Sequence, residues 1–212
     1  ADVLAQTDAY VGEILTTVSD LDLAKETIVV FTADNGREGV KRSFGFTGPW
    51  RGSMFSPYEG SLRVPFLIRY PGVIPAGRTS NEMVHLIDVF PTLAHLAGGK
   101  MPQDRVIDGV DQSNFFTASA EKSAREAMVI YIGNELFGVK WRNWKLLLKE
   151  IDSDSYAVRD MAYPSIYNLI IDPKEEQPET FYLDDTWVDT PLWQVISDHE
   201  TSLENDLGSP GP

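Results

Sequence analysis

The first residues able to do chemistry stand at the end of an apolar run. Thr27-Ile-Val-Val-Phe-Thr-Ala33 is continuous and β-branched, and it stops at Asp34-Asn35-Gly36. A carboxylate beside a carboxamide offers two hard oxygen donors, which suit Ca²⁺ or Mg²⁺. The same triplet is also ordinary turn chemistry, because Asp and Asn bond nearby backbone and Gly tolerates a left-handed conformation. A second candidate follows in the chain. Residues 37–61 are glycine-rich and carry Arg37, Lys41, Arg42 and Arg51, with Arg63 just beyond. Arg51 before Gly52-Ser53, and Arg63 after Glu59-Gly60, could hold an anion by charge-assisted hydrogen bonds. The alternative is that Arg51–Glu59 or Arg63–Glu59 pairs simply pin the loop. His85, His95 and His199 show no paired metal-ligand spacing, and the first two read as structural imidazoles in a helical segment. Trp141-Arg-Asn-Trp144 reads as sheet packing. The chain has no cysteine, which excludes a disulfide framework, thiolate zinc sites, iron–sulfur ligation and a cysteine nucleophile.

The elements that must position these residues follow from periodicity. Val3, Leu4, Ala9, Val11, Ile14, Leu15 and Val18 recur near helical spacing and predict an amphipathic helix over 2–20. The run 27–33 predicts a strand buried on both faces, with chemistry at its carboxyl end. Residues 37–61 predict a long surface loop. Val64 to Tyr70, ended by Pro71-Gly72, predicts a second strand in the same sheet, so that Asp34 would project from the sheet edge toward Arg51 or Lys41. Ser80 to Gly98 reads as helical, with Pro91 in a first turn and Gly98-Gly99 as its stop. Beyond about residue 115 the texture changes to short strands at 128–132, 136–141, 145–148 and 165–171, a small antiparallel sheet that a helix over 187–205 would cover. The expected organisation is an α/β portion over 1–115 and a small α+β subdomain with an acidic tail over 116–212.

Composition bounds the function. At 42% hydrophobic and 24% charged residues over 212 positions, the chain is globular. A chain this long buries roughly 70% of its unfolded surface without staples. The net charge is −14, and the stretch Asp172–Asp206 holds eleven acidic residues against Lys174 alone. That distribution argues against a broad nucleic-acid-binding face, which needs clustered Lys and Arg. No apolar run approaches the ~20 residues that span a bilayer. The opening ADVLAQTDAY has neither an initiator Met nor a basic-then-apolar leader, and it reads as lying inside something longer.

Several of these pieces, in order, carry a resemblance. Thr27 to Gly36 resembles the metal-binding strand of the sulfatases, within the alkaline-phosphatase-like superfamily. Gly48-Pro-Trp-Arg-Gly52 and Tyr58-Glu-Gly60 resemble that family's signature loop, followed by Arg63-Val-Pro-Phe66 and Tyr70-Pro-Gly72. Asp88-Val-Phe-Pro-Thr92 with Leu96-Ala-Gly98 resembles its next helix. Asp108-Gly-Val-Asp111, Val139-Lys-Trp141, Trp144-Lys145 and Tyr167-Asn-Leu169 with Asp172-Pro173 resemble its carboxyl-terminal subdomain. The implied fold is α/β: part of an alkaline-phosphatase-like mixed sheet with helices, then a small antiparallel sheet with a helix.

The resemblance implies that Asp34 and Asn35 are late ligands of a divalent cation, usually calcium, and that Arg51, Tyr58 and Glu59 belong to the anion loop. Two departures qualify it. Met54 stands where the family places a sulfate-binding lysine, which leaves Arg51 or Lys41 to supply the charge and makes phosphate specificity an open alternative. The formylglycine that serves as nucleophile is made from Cys or Ser in a C/S-x-P-x-R motif, and no such motif occurs here. The chain is therefore expected to be the carboxyl-terminal part of an arylsulfatase-like enzyme acting on a sulfate or phosphate ester. It would lack the nucleophile and be inactive by itself. A phosphatase or phosphodiesterase relative and a non-catalytic binding or structural module stay open. A dimer, a domain swap or association with an amino-terminal fragment is expected; nucleic-acid and membrane partners are not. The resemblance leans toward a periplasmic or extracellular location.

Overall fold

The computed structural model describes residues 2–38, 46–152, 157–179 and 183–206. They fall into two compact units. The first comprises Ala1–Thr32, Pro65–Asn81 and Ile87–Ser123; the second comprises Ala33–Val64, Glu82–Leu86 and Ala124–Pro212.

In the first unit, helix α1 (Asp2–Asp20) occupies the span that the apolar spacing predicts. It ends where Asp22 takes a φ of 60° and the Leu23 amide returns to Val18 O at 3.0 Å. Strands β1 (Val29–Thr32) and, later in the chain, Phe66–Arg69 pair antiparallel, with Val29 opposite Arg69 and Thr32 opposite Phe66. The shared sheet is as expected. Burial on both faces is not: Phe31 is 42% and Leu67 59% exposed. Apolar sequence shows what would gain from burial, but a two-stranded ribbon supplies no layer to cover its own faces.

Between these strands in sequence comes the one-turn helix α2 (Glu59–Leu62), which belongs to the second unit. The 37–61 segment was expected at the surface, yet Ser56 to Ser61 are all buried. A buried acid there requires buried partners, and the four-stranded sheet provides them.

After β2 (Phe66–Arg69), a 3₁₀ turn Leu86–Asp88 leads into α3 (Val89–Leu96), shorter than the 80–98 expected. Pro91 lies in its first turn, where its missing N–H costs nothing. Gly98, at φ 74°, ends it, and the Ala97, Gly98 and Gly99 amides return to Leu93, His95 and Ala94 carbonyls. Helix α4 (Ser113–Phe116) follows, and Phe116 stacks on Phe66 at 5.7 Å. Asp88, fully buried, accepts from the Val110 amide at 2.8 Å and from Gln112 Nε2 at 3.3 Å. Thr92 Oγ1 accepts from the Gln112 amide at 2.9 Å, and Ser123 Oγ donates to Gln112 Oε1 at 3.1 Å. This buried polar network joins the 88–92 and 108–112 segments that stood apart as sequence motifs.

The second unit is built on strands β3 (Ala127–Ile132), β4 (Glu135–Trp141), β5 (Trp144–Ile151) and β6 (Val158–Asn168), antiparallel in that order. Helix α5 (Asp189–Asp206) lies against β3, β4 and β5. The small sheet and its covering helix match the sequence expectation, except that β6 starts at Val158 and ends at Asn168 where a strand over 165–171 was expected. One face of the sheet packs Val139, Trp144, Leu146 and Ile166 against Val188, Leu192 and Ile196. Trp187 meets Trp141 and Trp144 edge-on at 6.2 and 6.0 Å, so the Trp pair is sheet packing. The opposite face packs Ile130, Phe137, Leu147, Ile151 and Tyr167 against Tyr58. Phe137 and Val139 share parity but serve opposite faces, because the register slips beside Ile130 and leaves Phe137 in a bulge.

Candidate functional site

The two-residue turn Arg142-Asn143 fixes the register of β4 and β5 and sets Lys140 directly opposite Lys145. Side chains alternate along a strand. Val139 and Leu146 face α5, so both lysines face the Tyr58 side. Like charges directly opposite repel, and two acids brought by other segments answer them. Lys140 Nζ donates to Glu59 Oε2 at 2.8 Å, and Lys145 Nζ donates to Glu175 Oε1 at 2.7 Å and to Pro57 O at 3.1 Å. Lys145 Nζ also lies 2.8 Å from Glu59 Oε1, a close buried ion pair. Arg63 Nε reaches Glu59 Oε2 at 2.5 Å. Of the two loop readings left open by the sequence, the structure realises Arg63–Glu59.

Glu59 is 1% exposed, and Lys145 and Glu175 are fully buried. Burial pushes the Glu59 carboxyl up, but Lys145, Lys140 and Arg63 outweigh it and hold it well below the usual carboxylate range. Burial pushes Glu175 up, against the pull of Lys145 and the Glu59 amide.

The same cluster holds the strand-end turn. The Glu59 amide donates to Glu175 Oε2 at 2.7 Å. The Gly60 amide donates to Arg51 O at 2.7 Å, and Ser61 O accepts from the Gly36 amide at 2.8 Å. A Cβ on Gly36 would sit 1.9 Å from Gly60 O, so only glycine permits this approach. Asn35 donates its amide N–H to Asp34 Oδ1 at 2.9 Å, and its Nδ2 donates to Gly36 O at 2.7 Å. Asp34 is exposed and Asn35 partly buried. Arg51 places its guanidinium 3.9 Å above the Tyr58 ring and donates from Nη1 to Glu175 O at 2.8 Å. Lys41 lies outside the described residues.

Sequence reasoning missed Lys140, Lys145 and Glu175. A signal was present: counting the alternation across the Arg142-Asn143 turn puts two lysines on one face of otherwise apolar strands. The histidines turn out differently from each other. His95, read from the sequence as a structural imidazole in a helix, is on α3 and exposed, with Asp111 Oδ2 at 2.5 Å from its Nδ1. His199 Nε2 lies 2.8 Å from the Tyr131 hydroxyl.

Tyr58 gives a direct test of this packing. Its ring is fully buried and, among the described residues, its hydroxyl has no hydrogen-bond partner. Burial, only partly offset by Arg51, pushes its pKa up to about 12. An unpaired buried hydroxyl costs on the order of 1–3 kcal/mol. Tyr58→Phe is therefore expected to stabilise the chain by about 1 kcal/mol, read as a Tm rise of roughly 2–4 °C. A lower Tm would show that the hydroxyl is paired after all.

Within a mixed α/β fold, the strand-end Asp-Asn-Gly turn thus docks on a buried Tyr-Glu-Gly segment, and comparisons with known proteins give the family. The sulfatase family profile matches residues 1–99, and that of the N-sulphoglucosamine sulphohydrolase carboxyl-terminal region matches residues 53–185. Steryl-sulfatase of Mus musculus is 38% identical over 154 residues, covering 70% of this chain and 25% of its own length. N-acetylgalactosamine-6-sulfatase of Mus musculus is 30% identical over 227 residues, covering 95% and 43%. The sulfatase PsFucS1 from Pseudoalteromonas sp. superposes with a TM-score of 0.87 at 24% identity, over 96% of this chain and 42% of that one. The chain belongs to the sulfatase family, and its structural neighbours have the alkaline-phosphatase-like fold. It spans between 25% and 43% of the length of these two curated relatives.

Proposed function

We propose that this chain is the carboxyl-terminal part of a sulfate-ester hydrolase, with residues 1–115 completing its α/β domain and residues 116–212 forming its small subdomain. In this reading Asp34 and Asn35 are two oxygen ligands of a divalent cation, calcium by family habit. Arg51 and Lys41 meet the anionic ester, and the formylglycine nucleophile comes from a segment outside this chain. Family membership carries the proposal, and the geometry of the strand-end turn supports it. Asn35 commits its amide nitrogen to Gly36 O, which leaves the carbonyl oxygen, the better ligand, as the side chain's remaining polar atom. The exposed Asp34 carboxylate stands beside it. A carboxylate and a carboxamide oxygen fit a hard cation. They are an incomplete set: among the described residues no group of three or more His, Asp or Glu is gathered to hold a metal, and calcium takes about 6–8 oxygens.

When bound, such a cation would polarise the ester's oxygens as a Lewis acid. This chain's own residues orient the two ligands and add positive charge. The exposed apolar side of α1, with Val3, Leu4, Tyr10 and Ile14 all more than half exposed, awaits cover from the rest of such a protein or from a second copy. Among the described residues no helix is long and apolar enough to cross a membrane; an exported location stays part of this reading. Met54 is the one feature that favours a phosphate ester instead.

The test is a Ca²⁺ titration by calorimetry with aryl sulfate and aryl phosphate assays on the same sample. The chain alone should bind Ca²⁺ weakly and turn over neither ester. Supplemented with an amino-terminal sulfatase segment bearing formylglycine, it should hydrolyse the aryl sulfate, and Asp34→Ala should abolish that turnover. Preference for the phosphate ester would favour the Met54 reading. Sub-micromolar Ca²⁺ affinity of the chain alone would overturn the two-ligand assignment.

A further inference from the structure

We propose that the buried Glu59–Lys140–Lys145–Glu175 cluster is a positioning device for the Asp34-Asn35-Gly36 turn, and that it protects Asn35 from deamidation. The importance of an intact Asn35 rests on the cation-ligand reading above; the protection itself does not.

An Asn–Gly pair is chemically fragile, since glycine offers no side chain to hinder ring closure. The Gly36 nitrogen attacks Asn35 Cγ, forming an N–Cγ bond while the Cγ–Nδ2 bond breaks. Ammonia departs, taking up the proton lost from Gly36 N. Water then opens the succinimide to aspartate or isoaspartate. Closure requires the Gly36 nitrogen to leave its present partner and swing toward Cγ.

The structure opposes that movement at each point. The Gly36 N–H is held by Ser61 O at 2.8 Å, and Asn35 Nδ2 is held by Gly36 O at 2.7 Å. The backbone of Gly60 and Ser61 leaves Gly36 no room to turn. Next along the chain, Arg37 O accepts from the Met54 amide at 2.8 Å. The clamp itself is fixed from behind. Glu59 is held by Lys140, Lys145 and Arg63 through its side chain and by Glu175 through its amide. Arg51, whose carbonyl receives the Gly60 amide, is tied to Glu175 O. Glu175 meets Lys145, the Glu59 amide and Arg51 while buried and at a φ of 55°, an uncommon conformation for a side chain of this size. Such strain persists where surrounding contacts over-determine it. Here they converge on the segment that grips Gly36.

The experiment follows residue 35 in the purified chain during warm incubation at mildly alkaline pH. Peptide mapping reads the mass gain of amide-to-acid conversion, and an isoaspartyl methyltransferase assay reads the isomer. The synthetic peptide ADNGR, residues 33–37, is the unprotected reference. Asn35 in the chain should deamidate at least about tenfold more slowly than in the peptide, since its closure must first break a backbone hydrogen bond inside a charge-held clamp. Lys140→Met should accelerate deamidation at Asn35, whereas Ile130→Val, a core change on the same sheet, should not at matched loss of Tm. If Lys140→Met does not fold, Arg63→Gln, whose wild-type side chain is 31% exposed, takes its place. Hydrogen exchange at the Gly36 amide of the unaltered chain should show protection. A chain rate equal to the peptide rate, or equal acceleration by the core variant, overturns the proposal. Because the readout needs neither cation nor ester, slow deamidation together with an Asp34→Ala change that leaves turnover intact in the supplemented assay would defeat the functional reading alone.

Discussion

Glu59→Ala is expected to cost about 3–5 kcal/mol of stability, the magnitude that follows when one partner of a buried ion pair is removed and the other is left uncompensated. The penalty is concentrated here because Lys140 and Lys145 are cross-strand neighbours on one face. Without the carboxylate they repel in a low-dielectric setting, with Glu175 answering only Lys145. In a chain of this size the loss lowers Tm by on the order of 10 °C. The sign of the pH dependence follows from the depressed Glu59 carboxyl. Its contribution is present above the ordinary glutamate value of 4.5 and is lost as pH falls below that value toward the much lower folded one. Glu175, pushed up by burial, works in the opposite sense and offsets part of this loss. Urea titrations at neutral pH and near pH 3 should show the gap between the native chain and Glu59→Ala narrowing in acid. A neutral-pH loss under about 1 kcal/mol, typical of exposed pairs, would show that water reaches the cluster.

Gly36→Ala is expected to be the second costly change. The added methyl would lie 1.9 Å from Gly60 O, 2.8 Å from its carbonyl carbon and 3.0 Å from Ser61 Cα, and none of these backbone atoms can swing aside. The turn must lift, giving up the Gly36–Ser61 hydrogen bond. A loss of about 1–3 kcal/mol or more is expected from such overpacking. Gly12→Ala is the contrasting control. That residue is exposed on α1 with nothing within 4 Å of the new methyl, and the change should stabilise by about 0.5–1 kcal/mol. Chemical denaturation of the two variants side by side gives the comparison, and equal effects would mean that the turn is not docked as described.

Helix α1, the placement of the 27–33 and 64–69 runs in one sheet, the antiparallel sheet after residue 115 and its covering helix were all legible in the sequence. Each rests on signals that repeat over a few residues: helical spacing of Val and Ile, β-branched runs, glycine after a last turn. The Asp34-Asn35 pair stands out in the sequence for the same reason, since its two oxygen-bearing side chains are contiguous. Other features belong to the tertiary structure. Apolarity in residues 27–33 marked a strand that would gain from burial, and only the fold shows how much of Phe31 and Leu67 remains in water. Glu59 meets Lys140 across 81 residues, and its amide meets Glu175 across 116. No local periodicity carries such pairings, because a buried charge is stable only where strand register, a bulge and a loop bring its counter-charge within about 3 Å, and that coincidence exists only once the chain has folded.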